Sequence, residues 1–217
     1  MNTITLVSAD KSTQLLTPSK VICIGRNYVD HIKELANEIP DEMVVFLKPN
    51  SAINKVLAAK HNDDVLHYEA ELSFLYQGGK FTAVGLGLDL TKREVQGKLK
   101  AKGLPWERAK AFDNSAIFSD FVSIEQEDIQ RLNLSLMINN APKQQGGVNL
   151  MMTKPADILR ELQTFISLED GDIVMTGTPK GVGVIGNNDS FTGQVYLSQK
   201  DTVMDNKVLL DCTWLAQ

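Results

Sequence analysis

The stretch that most constrains this chain is His67-Tyr68-Glu69-Ala70-Glu71-Leu72-Ser73-Phe74-Leu75-Tyr76. Successive side chains of a strand point to opposite faces. Glu69, Glu71, Ser73 and Leu75 therefore share one face, with Tyr68, Leu72 and Phe74 on the other. A Glu-x-Glu pair taken alone describes an edge strand with one wet face. The apolar continuation from Leu72 to Tyr76 belongs to a core instead. Two carboxylates side by side in a partly buried place repel each other unless a cation or a shared proton intervenes. Oxygen-only ligands on a strand suit a hard divalent ion such as Mg²⁺ or Mn²⁺. The stretch predicts half of a metal site.

The 217 residues suffice for one large domain or two small ones. No linker, low-complexity tract or clear internal repeat divides them. With 22 basic and 27 acidic residues the net charge is −5, so nothing in the balance attracts nucleic acid or an anionic membrane. Cys23 and Cys212 are too few for a disulfide scaffold or a zinc cluster. No apolar run approaches the ~20 residues of a membrane helix. Met1 to Ser8 lacks the basic start and long apolar run of a signal peptide, and a cytoplasmic location is expected.

Residues 1–20 are predicted as an edge ribbon of short strands, and Val21 to Ile24 as a buried strand ending at Gly25. After Gly25-Arg26-Asn27-Tyr28, a helix is predicted from Asp30 to Asn37. On it His31 and Glu34, three apart, share a face. That spacing alone is ordinary surface support. Met43 to Leu47 reads as another buried strand, and Lys48 at its end either snorkels to solvent or meets an anion. Thr82 to Leu90 is a second β-segment whose Gly85 and Gly87 allow a bulge or close backbone approach. Asp89 at its end would by itself be a helix cap for Thr91 to Lys100. Seven basic residues fall between Lys92 and Lys110. Lys98, Lys100 and Lys102 read as a solvated face, whereas Lys110, between Ala109 and Ala111, is expected to point inward.

In the second half, Asn133 to Ile138 followed by Asn139-Asn140 predicts a hairpin. Lys154 to Ser167 predicts an amphipathic helix with Ile158, Leu159, Leu162, Phe165 and Ile166 as its core stripe. Asp172 to Thr176 is a strand leading into Gly177-Thr178-Pro179-Lys180-Gly181-Val182-Gly183. This loop lacks the Gly-Lys-Ser/Thr ending of a phosphate loop, but its N–H groups can hold a carboxylate. Ser190 to Trp214 reads as strands closing a sheet.

Together these pieces resemble the fumarylacetoacetate hydrolase family. The matching residues run in order: Gly25-Arg26-Asn27-Tyr28 with His31; Phe46-Leu47-Lys48-Pro49; His67 to Leu72; Leu88-Asp89-Leu90-Thr91; Lys110-Ala111-Phe112-Asp113; and Gly171-Asp172 through Gly177 to Gly183. They span roughly residues 20–186. Gly103-Leu104-Pro105-Trp106 and the chain length look most like the small acylpyruvate hydrolase and oxaloacetate decarboxylase subgroup. Two departures are mild: Asn139-Asn140 replaces a usual Asn-Gly turn, and Tyr68 stands where a second His is common.

The resemblance implies an α+β, mainly β fold, a mixed β-sandwich roll of the fumarylacetoacetase C-terminal domain type, as a single catalytic domain over 1–217 with its core from 21 onward. It further implies a homodimer holding Mg²⁺ or Mn²⁺ through Glu69, Glu71 and Asp89. It assigns His31 and Glu34 to a catalytic dyad on a mobile lid, and Lys110 to the substrate side of the metal. Arg26, Lys48, Gln96 and Thr178 fall where the family contacts substrate. A 2-oxoacid chelates a hard divalent ion through a carboxylate and its keto oxygen, and breaking its C3–C4 bond leaves a pyruvate enolate on that ion. Hydrolysis of acylpyruvates, with His31 activating water, and decarboxylation of oxaloacetate are the first reading. Keto–enol tautomerisation of oxaloacetate, or isomerisation or hydration of oxoacids from aromatic degradation, is the alternative. A non-catalytic binding protein on this fold is the rival of another class, and the retained dyad counts against it.

Overall fold

The computed structural model describes residues 1–198 and 206–217. Its centre is the antiparallel pair Ala70–Gln77 and Lys80–Asp89, the carboxylate hairpin, in which Lys80 pairs with Gln77 across a two-residue turn. Gly78 and Gly79 both have positive φ there, the geometry that matches a tight turn to strand twist. The hairpin lies within a ten-stranded mixed sheet. Beside Lys80–Asp89 come Phe121–Ser123, then Ile4–Val7, then Thr13–Leu16 at the edge; beside Ala70–Gln77 come Ile173–Met175, Lys20–Gly25 and Val44–Pro49. Thr13–Leu16 is the mostly exposed edge expected of the N-terminal ribbon, but Ile4 and Leu6 are buried and pair the ribbon into the sheet.

A second sheet runs Ala141–Gly147, Leu132–Ile138, Ser190–Leu197, Lys207–Leu215, all antiparallel. Its inward residues Leu134, Leu136, Phe191 and Val195 share one apolar cluster with Ile22, Ile24, Leu72, Phe74, Leu86 and Leu88 of the first sheet. The alternate residues Val21, Cys23, Leu75, Ile173 and Met175 point to the other face and a second cluster with Ile4, Phe118 and Phe121. Period two thus sorts each central strand between two cores, as in a sheet covered on both faces. Each fully buried Leu or Phe contributes about 1.5–3 kcal/mol. The result is an α+β, mainly β architecture.

Asn139 and Asn140 both adopt positive φ, so the pair performs the turn expected of Asn-Gly. Two helices are shorter than predicted. The helix after Tyr28 covers only Val29–Glu34. The later one covers Pro155–Leu162, and Phe165, beyond its end, is 61% exposed, so it leaves the core stripe that Ile158 and Leu162 do form. In the segment Ser190 to Trp214, Ser190–Leu197 and Lys207–Leu215 are strands, while 199–205 lie outside the described residues. Among the described residues no helix is long and apolar enough to cross a membrane.

Candidate metal centre and active site

The carboxylate hairpin brings three acids to one face. Gly87 pairs with Glu71, Leu88 with Ala70, and the Asp89 N–H donates to the Glu69 carbonyl at 2.9 Å. Asp89 therefore lies across from Glu69, and Gly87 across from Glu71. A side chain at Gly87 would collide with Ser73, Met175 and Phe118, so only glycine fits there. Glu69, Glu71 and Asp89 are all buried, each offering an oxygen within 4.8 Å of the others. Asp89 is a member of this cluster, not a helix cap.

Cations stand around the triad unevenly. Lys110, 2% exposed, reaches Asp89 Oδ2 at 2.6 Å, Glu69 Oε2 at 2.9 Å and Thr91 Oγ1 at 2.6 Å. Arg93 pairs with Glu69 Oε1 and donates to Gln96 Oε1 at 2.7 Å. Lys48 Nζ lies 2.9 Å from Asp89 Oδ1 and donates to the Lys110 carbonyl and to Ser115. Glu71 accepts only the Gly177 N–H at 2.7 Å, and among the described residues no lysine or arginine pairs with it.

The electrostatics follow. Burial pushes both glutamates up; Lys110, Arg93 and His31 more than offset this at Glu69 and hold it well below the usual carboxylate range. At Glu71 burial and the charges of Asp89 and Glu69 act together, and its carboxyl is raised. Burial pulls Lys110 down, but Asp89 and Glu69 raise it above the ordinary lysine value. Three converging carboxylates, one of them lacking a cation, are the oxygen-only donor set of a hard divalent ion, so the residues present fit Mg²⁺ or Mn²⁺.

His31, also buried, faces this cavity from the short helix, with Nδ1 3.1 Å from Glu34 Oε2. Glu34 Oε1 in turn accepts the Gly181 N–H at 2.9 Å. The glycine-rich loop thus holds carboxylates through its N–H groups, with the protein's own Glu71 and Glu34 as its partners. Arg26, Gln96 and Thr178 line the same cavity. Thr178 is fixed from behind, donating to the Ala70 carbonyl and accepting from Gln144. Lys48 is brought to the triad but not to the cavity: it sits fully buried behind Asp89. The snorkel-or-anion choice resolves to the anion.

Lys100 departs from expectation. It is half-buried and lines the cavity, with its Nζ 4.7 Å from the centre of the Trp106 ring, while Lys98 and Lys102 are exposed. Arg93, Gln96 and Lys100 at i, i+3 and i+7 occupy one helix face, the spacing that identifies it. Gln144, which joins the Ala70 N–H to Thr178 and Pro179, carried no sequence signal.

The model of the fumarylacetoacetate hydrolase C-terminal domain matches residues 20–80 and 81–207. Over 190 residues, 80% of this chain and 87% of the relative, the sequence is 39% identical to the oxaloacetate tautomerase YcgM of Escherichia coli. It is 36% identical over 193 residues, 81% of this chain and 86% of the relative, to the human mitochondrial oxaloacetate tautomerase FAHD1. The fumarylpyruvate hydrolase of Pseudomonas aeruginosa, solved with Mn²⁺ and pyruvate, has a similar fold, with a TM-score of 0.84 and 26% identity, covering 100% of this chain and 96% of that one. The six motifs, the two-sheet architecture and these matches agree, and the chain belongs to the fumarylacetoacetate hydrolase family.

Proposed function

We propose that the protein interconverts the keto and enol forms of oxaloacetate, with Mg²⁺ or Mn²⁺ held by Glu69, Glu71 and Asp89. The observation that carries the reading is similarity to relatives that bear this activity in their names, at 39% and 36% identity. It moves weight from C–C cleavage, the first expectation from sequence, to the alternative.

The reaction moves a proton between C3 and the oxygen on C2. His31 Nδ1 is engaged by Glu34, so Nε2 is the ring nitrogen left to give or take the C3 proton. Glu34, itself anchored on Gly181, fixes the ring and offsets the charge of the imidazolium. A hard divalent ion in the triad would polarise the keto group and offset negative charge on its oxygen. Lys110 adds a positive charge at the same acids, where burial strengthens its field. The short helix closes over the cavity and keeps bulk water from the transferred proton.

Similarity to the fumarylpyruvate hydrolase favours a second reading, hydrolytic C3–C4 cleavage, in which His31 activates water. The two separate in one assay. Enol oxaloacetate and, separately, acetylpyruvate are added to Mg²⁺-loaded protein; loss of enol absorbance is followed with the first and pyruvate release with both. The expected outcome is accelerated enol loss with pyruvate at the background rate. Pyruvate release from acetylpyruvate without acceleration of enol loss would overturn the tautomerase reading in favour of hydrolysis, and pyruvate in step with oxaloacetate enol loss would turn it to decarboxylation.

A further inference from the structure

The cations around the cavity fall into two groups. Lys48, Lys110 and Arg93 are each paired with an acid of the triad. Arg26 and Lys100 are not: among the described residues neither has a carboxylate partner. Arg26 reaches only Asn37 Oδ1, at 3.4 Å, and its Nε is buried without a partner. Arg26, the residue after the strand Lys20–Gly25, also takes positive φ, 55°, an uncommon backbone for a residue other than glycine. The Lys100 ammonium rests against Trp106 at 4.7 Å from the ring centre. Cations that line one cavity without acids of their own mark where an anion belongs.

We infer that Lys100, with Arg26, forms a subsite for the far carboxylate of a dicarboxylate 2-oxoacid. The inference rests on the reading of the triad as a 2-oxoacid site. There the 2-oxo group and its adjoining carboxylate are directed to the ion at Glu69, Glu71 and Asp89, and the second carboxylate of a four-carbon diacid must find its charge partner elsewhere in the cavity. Lys100 and Arg26 are the cavity cations that the acids leave available. Burial, with Arg26 and Arg93 nearby, lowers the Lys100 ammonium to about 8, which a bound carboxylate would reverse. Trp106 holds the side chain by cation–π contact and fixes the head's direction, making the subsite a determinant of specificity for diacids over pyruvate-like monoacids.

The test compares two ligands on Mg²⁺-loaded protein by calorimetry: pyruvate, with no far carboxylate, and 3,3-difluorooxaloacetate, which has one and cannot enolise. Lys100→Met is expected to weaken the diacid about tenfold or more while pyruvate and Mg²⁺ affinities stay within about twofold. Lys100→Arg should restore most of the diacid affinity, which separates lost charge from lost folding. Equal weakening of both ligands, or of neither, would overturn the subsite and leave the 2-oxoacid reading standing. Failure of wild-type protein to bind either ligand would overturn the 2-oxoacid reading and the subsite with it.

Discussion

Asp172 and Glu71 are buried acids associated with neighbouring strands, and they differ in almost everything else. Asp172 immediately precedes the strand Ile173–Met175, which runs antiparallel to the strand carrying Glu71. Its Oδ1 accepts from Ser19 N, Ser19 Oγ and Lys20 N at 3.1, 2.7 and 3.1 Å; its Oδ2 accepts from Lys20 Nζ and Glu169 N at 2.5 and 2.9 Å. Burial alone would raise Asp172, but these donors bring it below the usual aspartate value. Glu71 has the single Gly177 N–H against two nearby carboxylates, and is raised. A buried acid whose donors are complete ties the chain together; one left incomplete is held ready for something the chain does not itself contain.

The sharpest way to break this contrast is to remove each acid in turn. Glu71→Ala should lose Mg²⁺ affinity and turnover by at least about a hundredfold. The metal-free variant should melt no lower than metal-free wild type, because a repelled, poorly paired carboxyl has gone. A metal-free variant melting many degrees lower would show that Glu71 is structural after all. Asp172→Asn should do the reverse. It weakens an ion pair that ties Ser19 and Lys20 to the 169–172 turn and is expected to cost about 2–4 kcal/mol, with turnover per folded molecule kept. The sign in pH follows from a folded value below the unfolded one: the contribution is complete above the unfolded pKa of about 3.9 and is lost as pH falls through the folded value. The gap in melting temperature between wild type and Asp172→Asn should hold above about pH 5 and narrow in stronger acid. A constant gap across that range would mean that the charge of Asp172 contributes nothing.

The same contrast explains what was legible in the sequence. The faces of the Glu69–Leu75 stretch could be read because strand alternation is local, and Leu75 and Phe74 do enter different cores. Lys110 could be read from its alanine neighbours. Lys48 could be read only as a choice, since its partner Asp89 lies on another strand and nothing local links them. Asp172 carries no local sign of being a tie, because its side-chain donors sit at Ser19 and Lys20, at the far end of the chain. Lys100 is masked in the sequence by its neighbours Lys98 and Lys102, which are exposed: its contact with Trp106 lies beyond the helix, although its spacing from Arg93 and Gln96 is local. Phe165 misled because a helical stripe says nothing about where the helix stops, and this one ends at Leu162.

Glu34 lies between the two cases, and its expected effects are the smallest. Its helix, Val29–Glu34, has six residues and no side-chain cap at Tyr28, so it is too short to stand without docking. Ile32 anchors it in the interior, the exposed Lys180–Asp30 pair at 3.2 Å contributes little, and Glu34 adds two contacts of different kinds. Oε1 on Gly181 N–H holds the helix to the loop; Oε2 on His31 Nδ1 holds the base. Glu34→Ala removes both, and tautomerisation should fall about tenfold with Mg²⁺ affinity unchanged. Glu34→Gln separates them, because its amide oxygen can still accept from Gly181 but a neutral side chain cannot offset the imidazolium charge. Hydrogen exchange over 29–34 should then return towards the wild-type rate in Glu34→Gln while turnover stays low. If turnover returns along with the protection, Glu34 serves only to dock the helix, and it belongs with Asp172 among the completed, structural acids.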